Sequence, residues 1–139
     1  MTTPNRPAAI LVIDDDETVA QTFARALSLE GYDVRVAANA QIGLEEVREW
    51  RADAIILDLR MPFVNGLGFL FRLRSQDKYR RTPVAIVTGD CNIDDDEFSD
   101  MRTLGAHLRF KPLWVEDLVE LTRTLLVEAR QSTTDEQAG

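Results

Sequence analysis

The sequence predicts an α/β domain built on one doubly wound parallel sheet. Five short apolar runs alternate strictly with five stretches of helical periodicity, and such alternation builds a parallel sheet with helices on its faces. Several runs are apolar throughout instead of at every second position, as strands covered on both faces must be. At 139 residues and 45% hydrophobic content, the chain suits one domain around one sheet. No repeat, low-complexity stretch or second folding unit interrupts it.

Residues 8–13 (AAILVI) form the first strand, apolar from end to end. Asp14, Asp15 and Asp16 follow and offer N-cap and first-turn carboxylates to a helix through Leu29, closed by Gly31. Val19, Phe23 and Leu27 recur at i, i+4, i+8 and give that helix one core-facing stripe. Residues 33–37 (DVRVA) alternate and read as the second strand. Asn39 caps a helix to Arg48 that carries Ala40, Leu44 and Val47 on one side. Residues 54–57 (AIIL) are the third strand, with Asp58 at its end. After a loop containing Pro62 and Gly66, Leu70 and Leu73 mark a third helix to about Ser75. Lys78, Arg80 and Arg81, followed by Pro83, read as a solvated connection. Residues 83–87 (PVAIV) are the fourth strand, ending at Thr88. Residues 93–104 form an acidic, weakly amphipathic helix stopped by Gly105. A short fifth strand, residues 108–110, precedes Lys111, and residues 115–130 form the closing helix. Residues 1–7 read as a lead, 8–130 as the domain, and 131–139 (QSTTDEQAG) as a polar, frayed tail.

The charge balance narrows the function classes. A net charge of −8 argues against direct nucleic-acid binding, which concentrates Lys and Arg. Cys91 is the one cysteine and can form no internal disulfide, which fits a reducing compartment. The start MTTPNRPAA lacks the apolar core of a signal peptide, and no run approaches membrane-spanning length. The expectation is a cytoplasmic protein with no membrane partner.

In an open parallel sheet the ligand crevice lies at the carboxyl ends of the strands. Asp14 and Asp15, Asp58, Thr88 and Lys111 all fall there: three carboxylates, a hydroxyl and an ammonium. Three carboxylates repel one another unless a cation joins them, and the hard ion Mg²⁺ suits oxygen donors best. One carboxylate beside bound Mg²⁺ is a competent nucleophile towards a phosphoryl group, giving an aspartyl phosphate. Lys111 would stabilise the developing charge and pair with Asp58 beforehand. As a desolvated amine it also implies that its removal raises stability. Gly89, next to Thr88, leaves room for the phosphoryl group to enter.

These motifs, VIDDDE at 12–17, LDLRMP at 57–62 with Gly66, VTGD at 87–90 and FKPL at 110–113, resemble the receiver domain of bacterial two-component response regulators. The resemblance covers roughly residues 8–129 and rests on the joint order and spacing of the motifs. It implies a flavodoxin-like sheet of strand order 2-1-3-4-5 flanked by five helices. It implies that Asp58 is the phosphoacceptor, that Thr88 and Lys111 attend the phosphoryl group, and that Asp14, Asp15, Asp58 and the Arg60 main-chain carbonyl hold Mg²⁺. It further implies a cis Lys111–Pro112 bond. The donor would be the phosphohistidine of a sensor histidine kinase or phosphotransfer protein. The output would be a downstream protein partner or effector domain, with a phosphorylation-dependent dimer as one form. The chain would then be a stand-alone receiver or the N-terminal part of a larger regulator, catalysing its own phosphoryl transfer and autodephosphorylation without a separate substrate. Leu108 stands where the family places Tyr or Phe, which argues against an aromatic rotamer switch, and Phe63 replaces the small residue common after Met-Pro.

Plainer roles compete at several positions. Asp16 reads as a helix cap, His107 as a loop residue, and Cys91 as an ordinary thiol near the site's mouth. Residues 94–97 read as a solvated helix start favoured by the helix dipole. The last helix carries two stripes, Leu118, Leu121 and Leu125 beside Val115, Val119, Thr122 and Leu126. With Trp114 these are either core or half of a partner surface. Arg60 and Asp90 follow Asp58 and Thr88 by two residues each. They either meet in a salt bridge that roofs the phosphoryl group and slows its hydrolysis, or point into solvent. An alternative function is a Mg²⁺-dependent phosphatase with an aspartyl nucleophile, although that class places the nucleophile after the first strand with a second Asp two residues on. A flavodoxin would need hydroxyls and bare N–H groups where Asp14, Asp15 and Asp16 would repel phosphate.

Overall fold

A computed structural model describes residues 6–138, and the side chains of residues 6–131. The elements are β1 (Ala9–Ile13), α1 (Glu17–Leu29), β2 (Asp33–Ala37), α2 (Ala40–Glu49), β3 (Ala54–Leu57), α3 (Gly66–Arg74), β4 (Val84–Thr88), α4 (Asp95–Thr103), β5 (Ala106–Phe110) and α5 (Val115–Ala138). The strands form one five-stranded sheet of order β2-β1-β3-β4-β5, every neighbouring pair parallel. Fold class and strand order are those expected.

Period-2 alternation sorts each central strand between two cores. Leu11 and Ile13 of β1, Ile55 and Leu57 of β3, and Val84 and Ile86 of β4 join Leu44 of α2 and Phe69, Leu70 and Leu73 of α3 on one face. Ile10 and Val12, Ala54 and Ile56, and Ala85 and Val87 join Phe23 and Leu27 of α1 and Leu118, Leu121 and Leu125 of α5 on the other. β1, β3 and β4 are buried at every position, whereas the edge strand β2 exposes Asp33 and Arg35, which is why β2 alternates in sequence and these three do not.

Capping fixes where the helices begin. Asp16, Asn39, Asn65 and Asp94 each accept the N–H three residues on, and Asp94 with Glu97 completes a capping box. Gly31, at φ +94°, adopts the left-handed conformation that lets the chain leave α1. Gly66 belongs to α3, not to the preceding loop, and a Cβ there would lie 2.5 Å from the Asp58 carbonyl oxygen.

Several boundaries differ from the sequence reading. β5 begins at Ala106, so His107 is a strand residue and not a loop residue; its Nε2 meets Glu128 of α5 at 2.6 Å. The connection before β4 is not simply solvated. Tyr79, within a single 3-10 turn (Asp77–Tyr79), is buried and donates its hydroxyl to the Val47 carbonyl. Arg74 locks the same segment by donating to the carbonyls of Tyr79 and Leu104 at 2.7 and 2.9 Å. Both stripes of α5 are largely core, with Val119 and Thr122 buried beside the leucines, while Trp114 and Val115 are 74% and 52% exposed. The backbone of α5 continues through Ala138, so the polar tail is helical over the described residues. Residues 1–5 of the lead, residue 139, and the tail's side chains past residue 131 lie outside the description.

Among the described residues, Phe63 is the non-glycine residue with positive φ, at +69°, and its side chain is fully exposed. A bulky L residue is strained there by roughly 1–2 kcal/mol, and no burial offsets it. Phe63→Gly should therefore raise stability by about 0.5–1 kcal/mol after the entropy of glycine is subtracted. The midpoint of urea unfolding reads the change, and a lower midpoint in the variant would contradict it.

Candidate functional site

The sheet positions the site by continuing its ladder one residue past three strands. The Asp14 N–H donates to the Ala37 carbonyl at 3.1 Å, the Asp58 N–H to Ile13 at 2.9 Å, and the Lys111 N–H to Thr88 at 2.9 Å. Asp14, Asp58 and Lys111 are thereby fixed in mutual register at one end of the sheet, with Thr88 closing β4 beside them. The Lys111–Pro112 bond is cis. Asp14 and Thr88 are buried, Asp58 is 7% exposed, and Asp15 is open to solvent.

The Lys111 ammonium lies between two carboxylates. It donates to Asp14 Oδ2 at 2.8 Å and more loosely to Asp58 Oδ1 at 3.3 Å. Asp14 Oδ1 accepts the Asp16 N–H at 2.9 Å, so both of its oxygens are engaged. Oxygens of Asp14, Asp15 and Asp58 all lie within 4.8 Å of one another, the one such acidic group among the described residues. Burial is the main reason the Asp58 carboxyl sits above the usual carboxylate range; Lys111 opposes the shift, and the charges of Asp14 and Asp15 add to it. Burial alone would push the Lys111 ammonium down, but the Asp14 hydrogen bond and the two neighbouring carboxylates outweigh it and raise it. One ammonium faces three carboxylates, an imbalance a divalent cation would correct. Two buried carboxylates and one open to water, all hard oxygen donors, fit Mg²⁺, which keeps part of its water shell.

Thr88 Oγ1 accepts the Asp90 N–H at 3.1 Å, and a Cβ on Gly89 would meet nothing within 4 Å, so the approach past Thr88 is open. Leu108 is half-buried and packs against the α2–α3 core.

Arg60 and Asp90 do meet. Arg60 Nε donates to Asp90 Oδ2 at 2.7 Å, and the guanidinium continues to Glu97 through Nη1 at 2.7 Å and Nη2 at 3.1 Å. Nη2 also donates to the Asn92 carbonyl at 2.9 Å. The Glu97 carboxyl is held below its usual range chiefly by the Arg60 hydrogen bond. Asp90 is held down first by the Asn92 N–H and then by Arg60. Residues 94–97 are thus more than a solvated helix start. The D-x-x-E spacing of Asp94 and Glu97 is the signal that could have shown the capping box; no spacing marks the pairing of Glu97 with a residue 37 positions away.

The family described as "Response regulator receiver domain" matches residues 10–123. The chain is 32% identical over 133 residues to "Response regulator MprA" of Mycolicibacterium vanbaalenii, covering 96% of this chain and 55% of that one. It is 29% identical over 133 residues to "Probable transcriptional regulatory protein TcrX" of Mycobacterium tuberculosis, covering 96% and 56%. The chain therefore spans about half the length of the curated relatives it matches. Among solved structures it resembles the chemotaxis protein CheY4 of Vibrio cholerae, with TM-score 0.80 and 28% identity over 87% of this chain and 100% of that one. A CheY-like receiver domain protein of Methanospirillum hungatei, 24% identical with TM-score 0.84 over 91% and 99% of the two chains, shares the fold.

Proposed function

This chain belongs to the response regulator receiver domain family, and we propose that it accepts a phosphoryl group on Asp58 from the phosphohistidine of a sensor histidine kinase or phosphotransfer protein. Signal transduction through phosphorylation is the family's general role; the donor, the metal and the residue roles are our reading. The observation that carries it is Lys111 bridging Asp14 and Asp58, with Asp15 close enough to share a cation.

Asp14, Asp15, Asp58 and the Arg60 main-chain carbonyl would hold Mg²⁺. When bound, the ion supplies positive charge that screens the acidic pocket and neutralises the phosphoryl oxygens. Asp58 contributes the attacking oxygen, and its partial burial keeps that oxygen sparsely solvated. Lys111 stabilises the same charge from the opposite side, exchanging its Asp58 contact for the phosphoryl group. Thr88 offers a hydroxyl beside the open approach at Gly89. The downstream partner is a protein surface or effector domain. The phosphatase reading gains no support, because Asp58 follows β3 and Arg60, not a second Asp, stands two residues on.

Incubation with acetyl phosphate, read by intact mass, tests the reaction without the kinase. One phosphoryl group should appear in Mg²⁺ and none in excess chelator. No gain in either condition would overturn the proposal, and equal gain in both would overturn the metal's part in it.

The Arg60–Asp90 bridge also sets an expectation for lifetime. Hydrolysis requires a water aligned opposite the leaving Asp58 oxygen, and in this proposal the Arg60–Asp90 bridge roofs that approach. Changing Arg60 and Asp90 together to Ala should speed loss of the phosphoryl group on the order of tenfold. Matching decay of wild type and double variant, followed by mass in chelator, would remove the roof.

A further inference from the structure

We propose that the Arg60 guanidinium is a phosphoryl-binding group held in reserve by helix α4, so that phosphorylation of Asp58 draws it off Glu97 and frees the first turn of that helix. The inference rests on the proposed phosphorylation and adds a route by which the signal leaves the site.

Arg60 stands two residues after Asp58, and its side chain crosses the crevice mouth to the residue two after Thr88. From there it reaches Glu97, on the opposite wall, with two of its nitrogens. The guanidinium is satisfied along one edge by Asp90 and along the rest by Glu97 and the Asn92 carbonyl. Those partners hold together three separate pieces of chain: the β3–α3 loop, the β4–α4 loop and the start of α4. Glu97 is one half of the capping box that begins the helix, because its carboxylate also accepts the Asp94 N–H at 3.1 Å. Glu97 Oε1 is thus shared between Arg60 and the cap.

An aspartyl phosphate on Asp58, two residues before Arg60 in the chain, would carry up to two negative charges on three strong acceptor oxygens. Arginine matches phosphate oxygens with two parallel donors, the geometry it now uses on Glu97. A single carboxylate competes poorly with a dianion for the same pair of N–H groups. The Asp90 bond through Nε can persist through the exchange, so the roof stays closed while the helix tie is lost. Beyond the Asp94 cap on the Glu97 N–H and the packing of Ile93, the first turn of α4 has few ties: Asp94, Asp95, Asp96, Phe98 and Ser99 are exposed, and Met101 is the helix's one buried residue. Four acidic side chains crowd that turn, and Arg60 is the cation the structure brings to them.

Hydrogen exchange of residues 94–98 tests the idea in wild type, Arg60→Met and Glu97→Gln, each before and after acetyl phosphate with Mg²⁺. Wild type should exchange about three- to tenfold faster there once phosphorylated, the size expected for releasing one well-formed surface ion pair. Arg60→Met and Glu97→Gln should exchange fast already when unmodified and show no further rise. Unchanged or slower exchange in phosphorylated wild type would overturn the inference, as would a full response in Arg60→Met. Intact mass separates the failures: no phosphoryl gain sinks the proposed function and this inference with it. A gain without an exchange response sinks the inference alone.

Discussion

Asp58→Asn is expected to abolish phosphoryl incorporation from acetyl phosphate while leaving the fold intact. The amide has nearly the shape of the carboxylate but lacks a nucleophilic oxygen anion, and no other acidic group in the site is placed like Asp58. Asp15 is open to water, and both oxygens of Asp14 are engaged by Lys111 and the Asp16 N–H. Stability should not fall, because Asp58 is itself a burden at neutral pH. Its folded-state carboxyl lies above the usual range, first through burial and then through the nearby acids. A raised carboxyl stabilises the fold below its ordinary value of 3.8 and loses that contribution as pH rises through the folded value. Above that window wild type carries a desolvated charge that Asn lacks, so urea midpoints at pH 7 should be equal or higher in the variant. Intact mass after acetyl phosphate decides the chemistry: equal incorporation in both proteins would move the phosphoacceptor elsewhere.

The sheet and the residues on its carboxyl edge were legible because burial on both faces writes itself as unbroken apolar runs. The end of such a run is where chemistry is exposed. Asp14, Asp58, Thr88 and Lys111 each mark the end of a run or the residue beyond it, and the ladder carries that placement into space. The less legible features depend on partners distant in sequence. His107 read as a loop residue because β5 is a half-exposed edge strand whose pattern, AHLRF, lacks an apolar run. Tyr79 was hidden among basic residues, since only its packing against α2 shows that it is buried. Trp114 could not be placed by periodicity, because it precedes α5 and the helical period says nothing of it. Arg60 was recognised by its position, but not its reach to Glu97: a long flexible side chain chooses its acid from everything within its radius, and sequence spacing does not encode that radius.

Lys111→Met is expected to lower stability at pH 7 in chelator by about 2–3 kcal/mol, reversing what residue type alone suggested. Freeing a desolvated amine would indeed help if the amine were unpaired, but here it lies 2.8 Å from Asp14 and 3.3 Å from Asp58. Removing one member of a buried ion pair costs about 3–5 kcal/mol because the remaining charge is stranded. The Lys111 side chain is 20% exposed and Asp58 can regain a proton, which brings the expected loss to the lower figure. The pH dependence follows from the directions of shift. Lys111 sits above its ordinary 10.5, so its contribution is present throughout the neutral range and fades only as pH rises through its folded value. Without it, Asp58 loses the cation that opposes its upward shift. The variant should therefore recover stability on acidification, as Asp58 protonates, at pH values where wild type gains less. Mg²⁺ should restore much of the loss at pH 7, since a cation shared by Asp14, Asp15 and Asp58 replaces the one deleted. Phosphorylation should remain poor even then, because the charge balance proposed for Lys111 against the incoming group is lost. Urea melts of both proteins at pH 5 and pH 7, with Mg²⁺ and with chelator, measure each part. A variant midpoint equal to wild type at pH 7 in chelator would mean that Lys111 does not hold the acidic cluster together, and an equal Mg²⁺ response in both would take the metal out of that cluster.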